Sequence, residues 1–187
     1  MFEVVPPTHP LRPQVEDAIR TAYLREHDAR LGSFPWWLVA ETGGAGINCA
    51  ASLRFADDGF FSEAYLDQPV EQAVARLLDV RTDRRFLAEV GTLAAPRPGA
   101  VVPLVQGVVA LLRARGMCWA FFTATDRLRT LLRRTGIPLM ELAKADPGRL
   151  ADAESWGRYY QHDPRVMLVG DCMLAPAHAP ESRCGHA

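Results

Sequence analysis

Arg84-Arg85-Phe86-Leu87-Ala88-Glu89-Val90-Gly91-Thr92-Leu93-Ala94-Ala95-Pro96-Arg97-Pro98-Gly99-Ala100 is the stretch on which the fold of this chain turns. Residues 86–94 are apolar apart from Glu89 and Thr92 and read as a strand. Pro-Arg-Pro-Gly at 96–99 reads as a turn, and the apolar run of 101–115, closed by Gly116, as a helix. Residues 117–123 follow as a second strand, rich in aromatics. Strand, helix and strand in this succession require a parallel pair joined by a crossover, so the chain belongs among the α/β proteins.

Working outward, Pro10 and Pro13 introduce a helix over 14–27, with Val15, Ala18, Ile19, Ala22 and Tyr23 at helical spacing. Residues 36–41 and 47–55 make two strands of a hairpin around a glycine-rich turn. A helical region over 62–78 is divided at Pro69. Downstream come a helix over 126–134, with Thr125 or Asp126 as its cap, then short strands over 139–142 and 165–169. Antiparallel pieces on both sides of the crossover predict a mixed central sheet with helices on both faces. The chain reads as one domain over 1–175, with a disordered tail over 176–187.

Composition narrows the function classes. The 187 residues are 49% hydrophobic and 23% charged, ordinary for a globular protein. The net charge of −1 implies no broad basic surface, so neither nucleic acid nor anionic lipid is an expected partner. The N-terminus lacks the pattern of a signal peptide, and the longest apolar run, 100–112, is too short for a membrane span. Cys49, Cys118, Cys172 and Cys184 are scattered without a CxxC pair, and His9, His27, His162, His178 and His186 form no metal pattern. No metal, no disulfide framework and a cytoplasmic location are therefore expected.

The strand–turn–helix also holds the chemistry. The first N–H groups of a helix lack internal partners and carry the positive end of its dipole, so they can receive a phosphate. Gly99 lets the backbone approach and Arg97 adds a cation; the same turn also reads as a plain connection with no ligand. Glu89 must either face solvent, pair with Arg84 or Arg85, or sit in a cleft, where its raised pKa suits it to take a proton from an amine. Arg84 and Arg85 alternate along the strand, so at most one can bind a substrate anion. The aromatic strand Trp119-Ala120-Phe121-Phe122-Thr123 is core or the wall of an acyl tunnel. Thr123 and Thr125 stand at its C-terminal end, where α/β sheets place ligands. Trp156, Tyr159 and Tyr160, like Tyr65, are packing residues or, for the phenols, acids for a departing thiolate.

Several ordered blocks carry a resemblance. Glu63-Ala64-Tyr65-Leu66-Asp67-Gln68-Pro69-Val70-Glu71 resembles E-x-Y-L-D-x-P-x-E, and Ala88-Glu89-Val90-Gly91-Thr92-Leu93-Ala94 resembles I-x-E-V-G-N-L-A. Phe122-Thr123-Ala124-Thr125, Ala145-Asp146-Pro147, Trp156-Gly157-Arg158-Tyr159-Tyr160 and Pro164-Arg165-Val166-Met167 resemble later blocks of the same family, the thermostable hemolysins. The resemblance runs over residues 10–173 and implies a GNAT-like fold, related to acetyltransferases and acyl-homoserine-lactone synthases. It implies an acyltransferase moving an acyl group from a thioester to the amine of a small molecule. Glu89 is then the base, with Tyr159 or Tyr160 as the acid. Gly91, Thr92 and Leu93 receive the thioester arm, and Arg97, Gly99 and Ala100 its phosphate. Arg85, Tyr65, Thr123, Thr125 and Trp156 are the substrate-binding candidates. The donor is acyl-CoA or the acyl-phosphopantetheine of a carrier protein, with no tightly bound cofactor. Two departures stand out: Thr92 replaces the asparagine of the family, and the turn is shorter than the GNAT Q/R-x-x-G-x-G/A. A membrane-active lytic protein and an inactive GNAT-fold binding module are the alternatives, and a homodimer is left open.

Overall fold

The computed structural model of the chain describes residues 1–44, 46–97 and 99–170; the expected tail, Cys172, Cys184, His178 and His186 lie outside them. The elements are β1 (Phe2–Val5), α1 (Arg12–His27), β2 (Trp37–Gly43), β3 (Gly46–Arg54), α2 (Val70–Leu78), β4 (Leu87–Ala94), α3 (Val101–Ala114), β5 (Trp119–Ala124), α4 (Asp126–Arg134), β6 (Met140–Lys144) and β7 (Arg165–Gly170). They build one seven-stranded sheet in the order β1-β2-β3-β4-β5-β7-β6. Only β4 and β5 pair in parallel, joined through α3 as the crossover requires. The other neighbours are antiparallel, so the sheet is mixed as expected. The sequence reading missed β1: four residues ending at Pro6-Pro7 carry little periodicity, and β2 supplies the edge on which they pair.

Alternation along the strands sorts the side chains between two layers. Leu87 of β4 and Trp119 and Phe121 of β5 pack with Val70 and Val74 of α2. Val15, Ile19 and Tyr23 of α1 cover Leu38, Ala40 and Ala50 on that face. Ala88 and Val90 point the other way, toward Leu104 and Val108 of α3 and Leu128 of α4. Among the described residues Cys49 is buried and free.

The feature that positions the site is an opening in the middle of the sheet. β4 and β5 pair only at Leu87↔Trp119, Ala88↔Ala120 and Glu89↔Phe121, although β4 runs on to Ala94 and β5 to Ala124. On its other edge β4 bulges against β3: Ser52 opposes Gly91 but Ala50 opposes Ala94. The extra residue bends β4 away from β5. Within the bulge Thr92 takes φ 41, a left-handed conformation that a β-branched residue rarely adopts.

Candidate active site

Glu89 is the last residue of β4 before the splay, and only 2% of it is exposed. Its carboxylate accepts hydrogen bonds from the Phe61 amide at 2.6 Å, the Ser62 amide at 2.8 Å and Ser62 Oγ at 2.6 Å. Burial pushes its pKa above the usual carboxylate range; the donors from Ser62 and Phe61 and the nearby Arg54 charge pull it back without cancelling that rise. Ser62 Oγ lies 2.8 Å from Thr123 Oγ1 near the end of β5. A continuous hydroxyl chain therefore links the buried carboxylate to the opened strand.

The donors are held by a clamp at the start of β4. Residues Ser62–Tyr65 form a 3-10 turn, whose leading amides have no internal partners and turn onto Glu89. Glu63 accepts from Arg84 Nη2 at 2.6 Å, from Arg84 Nη1, and from the Val70 amide at 2.9 Å. Arg84 also reaches Glu71 at 3.2 Å and lies over the Phe60 ring. Arg84 is thus spent on Glu63 and Glu71, which removes it as an ion-pair partner for Glu89.

The later aromatic block closes the other side. Gly157, at φ 52, lies so close to α1 that an added Cβ would meet His27 O at 2.4 Å. The Arg158 amide donates to His27 O at 2.6 Å, which docks the block and carries Trp156 and Tyr159 inward. Tyr159 Oη donates to Thr123 O at 3.2 Å, and Tyr65 and Tyr160 share a hydroxyl contact at 2.7 Å. Burial holds all three phenols above their ordinary pKa.

Two cavities meet at the splay. A cavity of about 270 Å³ on the α1 and α2 face is lined by Glu89, Ser62, Tyr65, Trp156, Ser52 and Arg54 among others. A cavity of about 1120 Å³ lies on the α3 and α4 face and reaches Leu93, Arg97 and Gly99 at one end and Val109, Leu112 and Leu131 at the other. Tyr23, Gly91, Thr92, Thr123 and Tyr159 line both, so the gap between β4 and β5 connects the two sides of the sheet. The Thr92 hydroxyl is buried there without a hydrogen-bond partner among the described residues. At the end of the turn, α3 starts at Val101 with no side-chain cap, leaving the Val101 and Val102 amides without intrahelical partners.

The structure gathers most of the residues singled out in the sequence and leaves a few aside. Glu89, Gly91, Thr92, Tyr65, Thr123, Trp156 and Tyr159 line the small cavity; Leu93, Arg97, Gly99 and Thr125 line the large one. Ala100 is buried beneath the start of α3. Tyr160 reaches the site through Tyr65. Arg85 is not brought to it: the side chain is 71% exposed, pairs with Asp83 at 3.4 Å and lies over Phe86. Ser62 and Arg54 were missed. Ser62 had a usable signal, a hydroxyl one residue before the Glu63 block, whereas Arg54 comes to the site only through the β3–β4 register. Among the described residues no group of His, Cys, Asp and Glu could hold a metal, and no helix is long and apolar enough to cross a membrane.

A mixed sheet splayed between its two parallel strands, with a bulge beside the gap, is the GNAT-like fold. The AHL synthase LasI matches with a TM-score of 0.60 at 6% identity, covering 91% of this chain and 89% of that one. FeeM, an N-acyl amino acid synthase from uncultured soil microbes, matches at 0.59 and 14% identity, covering 91% and 94%. BjaI, a CoA-dependent acyl-homoserine lactone synthase solved with SAM and isopentyl-CoA, matches at 0.54 and 13%, covering 91% and 82%. The family model for thermostable hemolysin matches residues 5–172, and the chain belongs to that family. No curated protein matches it in sequence.

Proposed function

We propose that this protein transfers an acyl group from a thioester to the amine of a small molecule. The observation that carries the reading is the meeting of two cavities, one on each face of the sheet, at a gap bordered by a buried carboxylate. The acyl donor occupies the large cavity, its phosphate at the start of α3 near Arg97, Gly99 and Ala100 and its thioester in the gap. The acceptor occupies the small one.

The amine nitrogen attacks the thioester carbon, and the C–O π pair moves onto oxygen. The amides of Gly91, Thr92 and Leu93 are the candidates to hold that oxyanion. The amine proton passes to Thr123 Oγ1 as the Thr123 proton moves to Ser62 Oγ and the Ser62 proton to Glu89, which ends neutral, the form its burial favours. Collapse of the intermediate re-forms the carbonyl, breaks the C–S bond and releases the thiolate, which takes a proton from Tyr159 or Tyr160. Tyr159 is the better placed, since it lines both cavities. Coenzyme A and a carrier-protein phosphopantetheine both fit this scheme as donor substrates, and no tightly bound cofactor is needed.

The test is a matrix of acyl-CoA and acyl-carrier-protein donors of graded chain length against a panel of small amines. Release of free thiol together with an amide product in at least one pairing is expected. Absence of both in every pairing overturns the reading.

A further inference from the structure

Arg54, at the end of β3, is the direct cross-strand partner of Glu89, which places the two side chains on one face of the sheet. Opposite charges in that position ordinarily pair, yet the Glu89 carboxylate is turned to Phe61 and Ser62. Among the described residues Arg54 makes no ion pair, hydrogen bond or ring contact. The other half-buried or buried arginines behave differently: Arg12 is bonded to Glu16 and backbone carbonyls, Arg84 to Glu63 and Glu71, and Arg129 to Asp163. A half-buried guanidinium that feels the Glu89 charge but is neither hydrogen-bonded nor ion-paired keeps its donor fork open to an anion from a ligand.

The cavity it lines limits what that ligand can be. About 270 Å³ lies at the small end of ligand sites, room for one compact molecule and not for a peptide segment. Arg30 stands at its mouth as a second cation, and Asp152 as an acid near Ser155. Phe61, Tyr65 and Trp156 supply aromatic wall. β3 and β4 are about 4.8 Å apart, as neighbouring strands are, so a molecule with its amine at the gap beyond Glu89 can set a carboxylate against Arg54 if the two groups are a few bonds apart.

Resting on the acyl-transfer reading, we propose that the acceptor is a free amino acid, its amine at the gap between β4 and β5 and its carboxylate held by the planar fork of Arg54. The acceptor's carboxylate, and not its amine alone, selects the substrate.

The test uses the full chain with coenzyme A present and reads binding by saturation-transfer NMR. An equimolar mixture of the proteinogenic amino acids is compared with a mixture of their carboxamides, which keep the amine and lose the anion. Saturation of one or more amino acids is expected, with none for the matching carboxamide. Arg54→Gln weakens that binding by about tenfold or more, and Arg54→Lys restores part of it. Equal saturation of the carboxamides, unchanged binding in Arg54→Gln, or no amino acid bound would each overturn the proposal. The carboxamide comparison needs no variant, so it stands even where Arg54→Gln fails to fold. Thiol release with simple amines as readily as with amino acids would remove this inference and leave acyl transfer standing. Binding of amino acids with no thiol release under any donor would do the reverse.

Discussion

At Glu89 burial and hydrogen bonding pull in opposite directions, and burial wins, leaving the folded pKa raised. The sign follows for stability: the neutral form is favoured in the folded state, so the contribution is complete below the unfolded value of about 4.5 and is lost as pH rises through the folded one. The unfolding free energy of the wild type minus that of Glu89→Gln should therefore fall over that window, measured by urea titration at successive pH values. For turnover the sign is opposite. The base must be ionised, so kcat climbs with pH through the same raised value, and Glu89→Gln loses this limb along with about 10²–10⁴ in kcat. Thr92 is the second residue whose environment speaks. Its φ of 41 and a hydroxyl without a partner among the described residues are both costly, and asparagine, which the family resemblance sets at this position, tolerates left-handed backbone. Thr92→Asn should gain about 1 kcal/mol, a Tm rise of about 2–4 °C by calorimetry. An unchanged or lower Tm would mean that the bulge holds threonine without strain. The carboxylate itself was legible, because a lone acid in an apolar strand has few places to go. Its partners were not: Phe61 and Ser62 lie 28 and 27 residues away.

Between residue and fold stands the segment from Phe60 to Glu71, of which the sequence marked only Glu63 to Glu71 as a block before its purpose was visible. Glu63 and Glu71 converge on Arg84, Tyr65 on Tyr160, and Pro69 sits at the N-cap of α2. The block is a clamp that aims two amides at Glu89. Alternation suggested that Arg84 or Arg85 could bind a substrate anion; instead Arg84–Phe86 is a 3-10 turn that spends Arg84 inside the protein and turns Arg85 out. Burial pushes the Glu63 carboxyl up, but the Arg84 and Val70 hydrogen bonds and the Arg84 charge together outweigh it and hold the group below the usual carboxylate range. Its contribution is present above the unfolded value and lost as pH falls through the folded one. Arg84→Ala should cost about 1–3 kcal/mol in chemical denaturation at neutral pH, with the loss shrinking in acid. It should also lower kcat, because the amides that orient Glu89 are no longer fixed. Arg84→Lys keeps the charge without the fork and should recover only part of each. Full activity in Arg84→Ala would show that the amides hold Glu89 unaided.

Over the whole molecule, the crossover from β4 through α3 to β5 was legible because a parallel pair needs a long connection, and the element order followed from periodicity and turn residues. The splay came only through the family resemblance, since pairing that stops at Glu89↔Phe121 is a property of two strands and a neighbouring bulge, and no local pattern records it. That gap divides the labour of the two faces: a compact, charged cavity under α1 and α2, and a long one between α3 and α4 whose far end sets Val109, Leu112 and Leu131 beside Arg113 and Arg134. A cavity of about 1120 Å³ exceeds what a short acyl group needs, and its walls of valine and leucine suit a hydrocarbon chain. Val109 lies part-buried on that wall, far along α3 from the turn at Arg97. Val109→Phe fills the far end and leaves the start of α3, the gap and Glu89 untouched. Rates with short acyl donors should hold, while kcat/KM for the longest accepted donor falls by about 10–200-fold, the scale of one or two methylenes that no longer fit. An even loss across all chain lengths would place the chain elsewhere, and an unchanged profile would mean that the far end of the cavity takes no part in donor choice.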